Sequence, residues 1–551
     1  MGRSGFCLAL HGHIPNILHS GNWPHGENWL FEAIFEVYLP LLEWLEASED
    51  IDFSISLGLT PILLHQLSTS RIKTQFPKYL EELLSQAKED ASNLQVSEQA
   101  RFWMDLIHRR QNQWKECQGD LISRFVAQKD KGRLEILSSY ANHAYGALLR
   151  YDETLRRELR LGLELSEKIL GFRPEGIWLP ECAFAPRRMS SDPLDGNSKF
   201  REGIDRILEE EGITHFFVES VLFEGLRSEG VVQNGQFKKC GWDARENTPQ
   251  LQWGSTLEPV WVGTHGQHSN VAAFARNGRV SAQVWSADLG YPGDGAYLEF
   301  HRRSNKMRYW RVTDRSYPLS AKKLYSPHLA HQRLKSHAHH WSNLIVEHLS
   351  QHPSSRFGTL TASFDAELFG HWWFEGVDFL NQAVRELLRK GVRVVSAKQR
   401  LKEVPPDKVV WLPEGSWGEG AGHGVWYRPQ TRWMWEVIWR AEQRYLQLEH
   451  QLRDSKRKIT KQQRQIYADL TWALSLLLAS DWIFVITSGG AVDYGHQRFC
   501  VAHHRFEQLA MALELLLNKK KLSKQIKAAL GEIQAFQMIP SELSEYLSNH
   551  I

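Results

Sequence analysis

Short apolar runs alternate with helical stretches over the first ~400 residues of this 551-residue chain, and this alternation restricts the possible folds more than any other feature. The runs are rich in β-branched residues, and the helices between them favour a parallel sheet covered on both faces. Seven or eight such units predict a closed or nearly closed β/α barrel. The predicted strands are 6–14, 51–59, 133–139, 176–181, 214–220, 271–276, 358–367 and 392–397.

Two segments interrupt the alternation, and a third follows it. Residues 72–128 are charged and have helical periodicity, whereas 185–255 begin with a polar stretch containing Pro and Gly that is typical of a lid. After Pro405 and Pro406 the apolar residues recur at helical spacing. We therefore predict four parts: a catalytic barrel at 1–184 and 256–404, a helical insertion in it at about 72–128, a lid subdomain at 185–255, and a helical C-terminal domain at 405–551.

The charge and the aromatic content narrow the class of ligand. The chain has 66 Lys and Arg residues against 64 Asp and Glu residues, and this balance argues against nucleic acid as a partner. It also has 22 Trp residues, whose flat faces suit sugar rings, bases and cations. The composition therefore favours an enzyme or binding protein for an uncharged, ring-shaped ligand.

The cysteines and the longest apolar run bear on location. Five widely spaced cysteines without a C-x-x-C pair indicate neither a disulfide framework nor a thiolate zinc site, so we expect a reducing cytoplasm. The run 470–486 contains Asp481 in its interior, and we interpret it as a buried helix, not a membrane span. We expect no membrane partner.

Polar residues close three of the predicted strands. His11 and His13 end the first strand, Glu181 follows the apolar run GIWLP, and Asp365 follows TLTASF with Glu367 two residues later. The carboxyl ends of barrel strands meet at one face, where active sites lie. Two carboxyl groups beside Trp and His side chains suit glycosidic bond chemistry, in which one is ionised and the other keeps its proton. The alternative is a buried, ion-paired carboxylate at each strand end.

A metal site is a competing interpretation of the same residues. His11, His13, Asp365 and His371 together could form a zinc site of catalytic type. The H-x-H spacing places both imidazoles on one face of a strand, which suits a metal or two sugar hydroxyls equally.

Five sequence blocks resemble glycoside hydrolase family 57, and within it the α-glucan branching enzymes. The blocks, in chain order, are HGHIP (11–15), GIWLPECAF (176–184), QVWSADLGYPGD (283–294), FDAELFGHWWFEG (364–376) and EGSWGEGAGHGVW (414–426). The helical tail, including ASDWIFVITSG (479–489), is similar to the helical domain of that subgroup.

The resemblance implies an incomplete (β/α)7 barrel and a retaining mechanism without a metal or cofactor. Glu181 takes the position of the nucleophile and Asp365 that of the general acid/base, with carboxyl groups ~5–5.5 Å apart. The implied partner is an α-glucan such as amylose, amylopectin or glycogen, and we expect a monomer or weak homo-oligomer.

The same resemblance assigns substrate-binding residues. Arg276 is expected beside Glu181, where it would keep that carboxylate ionised, and Trp373 either lines the cleft or packs in the barrel. The implied substrate-binding residues are His11, His13, Trp29, His143, Arg276, Trp285, Trp373, Trp417, Trp426 and Asp481.

One departure from the family pattern bears on the reaction outcome. Branching enzymes of this family carry a lid tyrosine over the cleft, but this chain has no tyrosine between Tyr151 and Tyr291. The corresponding region holds Trp242, Trp253 and Trp261, whose roles the sequence leaves open. We therefore expect a branching enzyme in which hydrolysis competes. The alternatives are an α-1,4-glucan hydrolase or 4-α-glucanotransferase, a zinc mannosidase or deacetylase, and an inactive glucan-binding protein.

Overall fold

The structure is a computed structural model that describes residues 4–22, 24–224, 227–233, 236–239, 255–264, 267–286, 288–351, 358–454, 458–536 and 539–549. Its strands are β1 (Gly5–Gly12), β2 (Ile55–Leu59), β3 (Leu134–Leu137), β4 (Gly176–Ile177), β5 (Arg188–Ser191), β6 (Ser198–Arg201), β7 (His215–Val218), β8 (Arg227–Gln233), β9 (Gln236–Lys239), β10 (Val260–Thr264), β11 (Gln267–Ala275), β12 (Thr359–Asp365), β13 (Arg393–Val394) and β14 (Lys408–Trp411).

Seven parallel strands form the barrel, in the order β1, β2, β3, β4, β7, β11 and β12. Two junctions consist of a single residue pair each: Ser138 with Ile177 between β3 and β4, and Arg276 with Thr361 between β11 and β12. The predicted fold class is thus confirmed, and the seven strands are joined only weakly at these two junctions. The eighth predicted strand yields only β13, which pairs with the first two residues of β1.

Strand β11 belongs to the barrel and also to an outer sheet. The hairpin partner β10 runs antiparallel to β11, and β14, β8 and β9 extend the sheet outward. Trp261 of β10 donates its indole N–H to the Pro406 carbonyl over 2.7 Å, so it ties this sheet to the chain that leads to the C-terminal domain.

The helices before the C-terminal domain are α1 (Glu27–Ala33), α2 (Leu39–Ala47), α3 (Pro61–Ser68), α4 (Ser70–Asp90), α5 (Ser97–Glu116), α6 (Leu121–Asp130), α7 (Asp152–Leu170), α8 (Ile204–Glu210), α9 (Ser220–Glu224), α10 (Gly278–Trp285), α11 (Pro327–Ser350), α12 (Gly376–Arg389) and α13 (Ala397–Glu403). A π-helical segment, Ile34–Tyr38, joins α1 to α2. Helices α4, α5 and α6 occupy the predicted helical insertion.

The predicted lid at 185–255 is divided differently in the structure. Strand β7 is part of the barrel because it pairs with both β4 and β11, and α8 packs on β11. The additions to the barrel are the β5–β6 hairpin and the outer strands β8 and β9. Trp242 and Trp253 lie outside the described residues.

The C-terminal domain consists of α14 (Arg432–Arg453), α15 (Lys461–Leu477), α16 (Asp481–Ser488), α17 (Val492–Leu517), α18 (Lys524–Phe536) and α19 (Ser541–Asn549). The prediction of one buried helix over residues 470–486 is wrong. In the structure this apolar run is broken between α15 and α16. The break matters because it directs Ser480 and Asp481 toward the barrel. Among the described residues, no helix is long and apolar enough to cross a membrane.

Candidate active site

Two carboxyl groups lie at the carboxyl ends of the barrel strands. Asp365 is the last residue of β12 and pairs in register with His11 of β1. Glu181 lies in the turn after β4 with φ of 60°, and Cys182 beside it has φ of 50°. The left-handed region is unfavourable for residues with a Cβ, and such strain is concentrated at functional sites. The turn thus fixes the direction in which the Glu181 side chain leaves the barrel.

Both oxygens of the Glu181 carboxylate accept hydrogen bonds from distant parts of the chain. Trp417, in the glycine-rich loop after β14, donates its indole N–H to Oε2 over 2.9 Å. Ser480, at the break before α16, donates its hydroxyl to Oε1 over 2.9 Å. The C-terminal domain therefore completes the barrel's site.

Two buried imidazoles continue this hydrogen-bond chain. His143 Nδ1 lies 3.0 Å from Ser480 Oγ, and His143 Nε2 lies 2.9 Å from His11 Nε2. Burial holds the pKa of both histidines well below the usual value, so both rings are neutral. Since the Ser480 proton goes to Glu181, His143 must donate from Nδ1 and accept at Nε2 from His11. Each tautomer is thus set by the carboxylate at the end of the chain.

His13 is held on three sides. Its Nε2 lies 2.9 Å from Asp481 Oδ1, its Nδ1 lies 2.9 Å from Thr60 Oγ1, and its backbone N–H donates to Glu367 Oε1 over 3.1 Å. Asp481 therefore lies beside His13, and its substrate-binding role stays a prediction.

The structure separates His371 from the other residues of the predicted zinc site. His371 Nδ1 lies 2.7 Å from Glu36 Oε2 in a separate buried cluster with Arg308. Ligand atoms of His13, His143 and Asp481 do lie within 4.8 Å of one another. However, the rings of His13 and His143 stack with centroids 3.9 Å apart and planes at 13°. Ring nitrogen lone pairs lie in the ring plane, so these two do not converge on one ion, and the arrangement suits sugar hydroxyls better.

Both carboxyl groups have raised pKa values. Burial and the charges of Glu367 and Glu181 hold the pKa of Asp365 well above its usual value, which favours its protonated form. Burial raises the pKa of Glu181 to about 7, against the opposing effect of the Trp417 and Ser480 hydrogen bonds. A protonated acid and an ionisable nucleophile in one cleft are what double displacement at a glycosidic bond requires.

Arg276 was predicted to lie beside Glu181, but in the structure it pairs with a different carboxylate. Its guanidinium forms an ion pair with Glu219 at the end of β7, and it lies 5.9 Å from the Trp417 ring. Because the Glu219 carboxylate contacts the guanidinium directly, it is a stronger partner for Arg276 than Glu181 is. Arg276 instead counteracts in part the elevated pKa of Asp365.

The predicted tryptophans fall into two groups. Trp285 is 43% exposed and its ring lies 6.0 Å from that of Trp417, so these two form a continuous aromatic surface at the cleft. Trp29 is half-buried on α1, where its ring meets His25 at 5.2 Å.

Trp373 and Trp426 are corrections to the prediction, since each is only 1% exposed. Trp373 is enclosed by the four aromatic rings of Tyr291, Tyr297, Phe369 and Phe379. Trp426 packs against Tyr145, and its backbone carbonyl accepts the indole N–H of Trp435 over 2.9 Å. Both rings are therefore packing residues that cannot contact a substrate in this conformation.

Sequence reasoning missed three residues that shape the site. Ser480 had one available signal, its position next to Asp481. Trp178 stacks under His11 with centroids 4.8 Å apart, and it lies three residues before Glu181. Tyr38, in the π-helical segment, donates its hydroxyl to Glu367 Oε1, and nothing near it in sequence indicates this.

A β/α barrel whose strand ends carry two buried carboxyl groups of raised pKa, beside neutral imidazoles and an aromatic surface, has the arrangement of a carbohydrate-active enzyme. The chain belongs to glycosyl hydrolase family 57, whose family model matches residues 7–413. A second model, described as 1,4-alpha-glucan branching enzyme, C-terminal, matches residues 438–542.

Known proteins are similar over nearly the whole chain. The 1,4-alpha-glucan branching enzyme TK1436 of Thermococcus kodakarensis is 37% identical over 514 residues, covering 92% of this chain and 73% of that protein. The crystal structure of a GH57-type branching enzyme from Pyrococcus horikoshii matches with a TM-score of 0.85 and 34% identity, covering 98% of this chain and 96% of that one. The alpha-amylase AmyC of Thermotoga maritima, at 24% identity, shares the fold with a TM-score of 0.78, covering 98% and 99%.

Proposed function

We propose that this chain is a 1,4-α-glucan branching enzyme that acts by double displacement, with Glu181 as nucleophile and Asp365 as general acid/base. The observation that carries this proposal is the setting of Glu181. Its two oxygens are held by the glycine-rich loop and by the C-terminal domain, and the raised pKa of Asp365 favours the protonated acid that the reaction needs. Two of the similar proteins, TK1436 and the Pyrococcus horikoshii enzyme, are branching enzymes, which supports the same activity.

In the first half-reaction, the Glu181 carboxylate attacks the anomeric carbon of an α-1,4-linked glucose. The bond from that carbon to the glycosidic oxygen breaks, and Asp365 gives its proton to the departing oxygen. The products are a shortened glucan with a new 4-hydroxyl and a glycosyl ester on Glu181. The Trp417 and Ser480 hydrogen bonds keep the attacking carboxylate in one orientation before the substrate arrives.

In the second half-reaction, Asp365 acts as a base. It removes the proton from the 6-hydroxyl of an acceptor glucan, whose oxygen attacks the anomeric carbon and displaces Glu181. The result is an α-1,6 branch, and both carboxyl groups return to their starting protonation.

The aromatic surface of Trp285 and Trp417 and the pair of His13 and Asp481 have separate tasks in binding. Trp285 and Trp417 provide flat apolar surface for glucose rings along the cleft. His13 and Asp481, paired at 2.9 Å, offer hydrogen-bonding atoms to the hydroxyls of the sugar that reacts.

The test is incubation with amylose, followed by debranching with isoamylase and chain-length analysis. We expect new α-1,6 linkages, a falling iodine absorbance and little release of reducing ends. Glu181→Gln and Asp365→Asn should each abolish the activity, whereas Glu375→Gln, a buried glutamate on the loop before α12, should retain it. Loss of activity in EDTA would contradict the proposal and favour the zinc enzyme.

The second candidate is an α-1,4-glucan hydrolase built on the same cleft. The observation that favours it is the absence of a tyrosine between Tyr151 and Tyr291, where branching enzymes of the family carry the lid tyrosine. Water would then hydrolyse the glycosyl ester on Glu181. Reducing ends that rise without any isoamylase-sensitive linkages would establish this candidate and exclude branching.

We also propose that the enzyme acts in the cytoplasm as a monomer or weak homo-oligomer. Free thiols support a reducing location, since Cys7, Cys117, Cys182 and Cys500 are all unpaired. Cell fractionation and the mass in solution test the two statements separately.

A further inference from the structure

A cavity of about 310 Å³ lies behind the active site, between the barrel and the C-terminal domain. The loop after β1 forms one wall, and α15, α16 and α17 form the other. Three lining residues, Asn142, Ala479 and Trp482, are the chain neighbours of His143, Ser480 and Asp481. The cavity is thus one residue away from the catalytic cluster, but none of the residues assigned to catalysis lines it.

The charge of this cavity is positive. Arg498 and Arg505 both line it, and their spacing of seven residues places them on one face of α17. No Asp or Glu is among its lining residues, and within the described chain neither guanidinium forms an ion pair with a carboxylate. Burial and the charge of Arg498 lower the pKa of Arg505. Two guanidinium groups that line one cavity without a counter-ion favour an anion there.

Arg498 is already fixed in place. It donates to the Tyr494 hydroxyl over 3.0 Å and to the Ser20 hydroxyl and Asn16 carbonyl over 2.5 Å each, and it lies 4.5 Å from the Trp482 ring centroid. These bonds use three of the five guanidinium N–H groups, and two donors are left for a ligand. A donor held in place loses little conformational entropy on binding.

Asn142 supplies an independent indication of a ligand. Its side chain is only 2% exposed, and its Nδ2 donates to Ser475 Oγ over 2.8 Å. Its Oδ1 is buried and has no hydrogen-bond partner. A buried acceptor without a donor costs free energy, so a hydroxyl group supplied by a ligand fits here.

We propose that this cavity binds a small phosphorylated sugar, with its phosphate between Arg498 and Arg505 and a sugar hydroxyl on Asn142. The cavity volume is at the lower end of the range of small-molecule pockets, about 300–1,000 Å³, which suits one sugar ring with one phosphate.

The test is isothermal titration calorimetry of the full chain without glucan, using glucose 6-phosphate, inorganic phosphate and glucose as separate probes. We expect glucose 6-phosphate to bind, inorganic phosphate to bind more weakly, and glucose not to bind. Arg505→Met should weaken glucose 6-phosphate binding about tenfold or more, since hydrogen bonds to charged groups are lost. Arg440→Met, an exposed arginine on α14, is the matched control and should bind as the wild type does.

The Asn142→Ala variant tests the contact to the sugar hydroxyl separately from the contacts to the phosphate. It should reduce affinity for glucose 6-phosphate and leave inorganic phosphate binding unchanged. No binding of glucose 6-phosphate, equal binding by Arg505→Met, or glucose binding as tightly as its phosphate would each overturn the proposal. Glu181→Gln should lose activity and still bind the sugar phosphate, so a failure here is distinct from a failure of the proposed catalysis.

Discussion

The indole N–H of Trp417 donates to Glu181 Oε2 over 2.9 Å, which joins the glycine-rich loop directly to the proposed nucleophile. The two residues are 236 positions apart, and the Trp417 backbone N–H also donates to the Glu181 carbonyl over 3.0 Å. The loop thus holds both the backbone and the side chain of the strained turn.

This contact predicts the pH dependence of a Trp417→Phe variant. Attack requires an ionised Glu181, so activity rises with pH through its pKa of about 7. The hydrogen bond favours the carboxylate form, and its loss raises that pKa further. The acid limb of kcat/KM should therefore move to higher pH, by about one pH unit for the loss of roughly 1.5 kcal/mol.

Trp285→Phe is the control for this prediction. Its ring is 6.0 Å from Trp417 and it donates no hydrogen bond to Glu181, so the acid limb should stay in place. An acid limb that does not move in Trp417→Phe would show that the bond does not tune the nucleophile.

A second prediction concerns Glu367 and the opposite limb of the pH profile. The Glu367 carboxylate raises the pKa of Asp365, which must be protonated to release the leaving group. Glu367→Gln keeps an oxygen for the Tyr38 hydroxyl and the His13 N–H but removes the charge. The pKa of Asp365 should fall, and activity should be lost at a lower pH than in the wild type.

The measurement is kcat/KM on a soluble maltooligosaccharide across the alkaline range. Glu375→Gln serves as the matched change, because this buried glutamate accepts from the Leu298 N–H and is not among the charges that act on Asp365. If both variants show the same alkaline limb as the wild type, Glu367 does not control the proton of Asp365.

The sequence predicted the barrel and the two carboxyl groups because each depends on local signals. Strand ends follow from apolar periodicity, and Glu181 and Asp365 close such runs directly. Arg276 was assigned the wrong partner because its choice between Glu219 and Glu181 depends on how β7 and β11 align.

The burial of individual side chains could not be predicted from the sequence either. Trp417 and Trp426 share one loop and one residue type, but the second is enclosed by Tyr145 and α14. The helix break at residues 478–480 carries no Pro or Gly, so the run looked continuous. Ser480 reaches Glu181 only because of that break, across 299 residues of sequence.

A third prediction concerns stability. Arg308 is 2% exposed and forms an ion pair with Glu36, whose other oxygen lies 2.7 Å from His371 Nδ1. Arg308→Met leaves the buried Glu36 carboxylate without its main counter-ion, and the free energy of unfolding should fall by about 3–5 kcal/mol. Urea unfolding followed by tryptophan fluorescence measures the change.

The comparison is Arg385→Met, which breaks a bidentate but solvent-exposed pair with Asp50. Exposed pairs contribute little, so its urea midpoint should stay close to that of the wild type. Equal losses in the two variants would contradict the importance of the buried cluster.

The last prediction separates a packing tryptophan from a binding one. Trp373→Ala should destabilise the protein by about 3–5 kcal/mol, because it empties a space enclosed by four aromatic rings. Trp285→Ala should leave the urea midpoint unchanged, since its ring is 43% exposed. It should instead raise KM for amylose roughly two- to tenfold, equivalent to about 0.5–1.5 kcal/mol of ring stacking. If Trp373→Ala is as stable as the wild type and has a raised KM, Trp373 binds glucan and the packing role is contradicted.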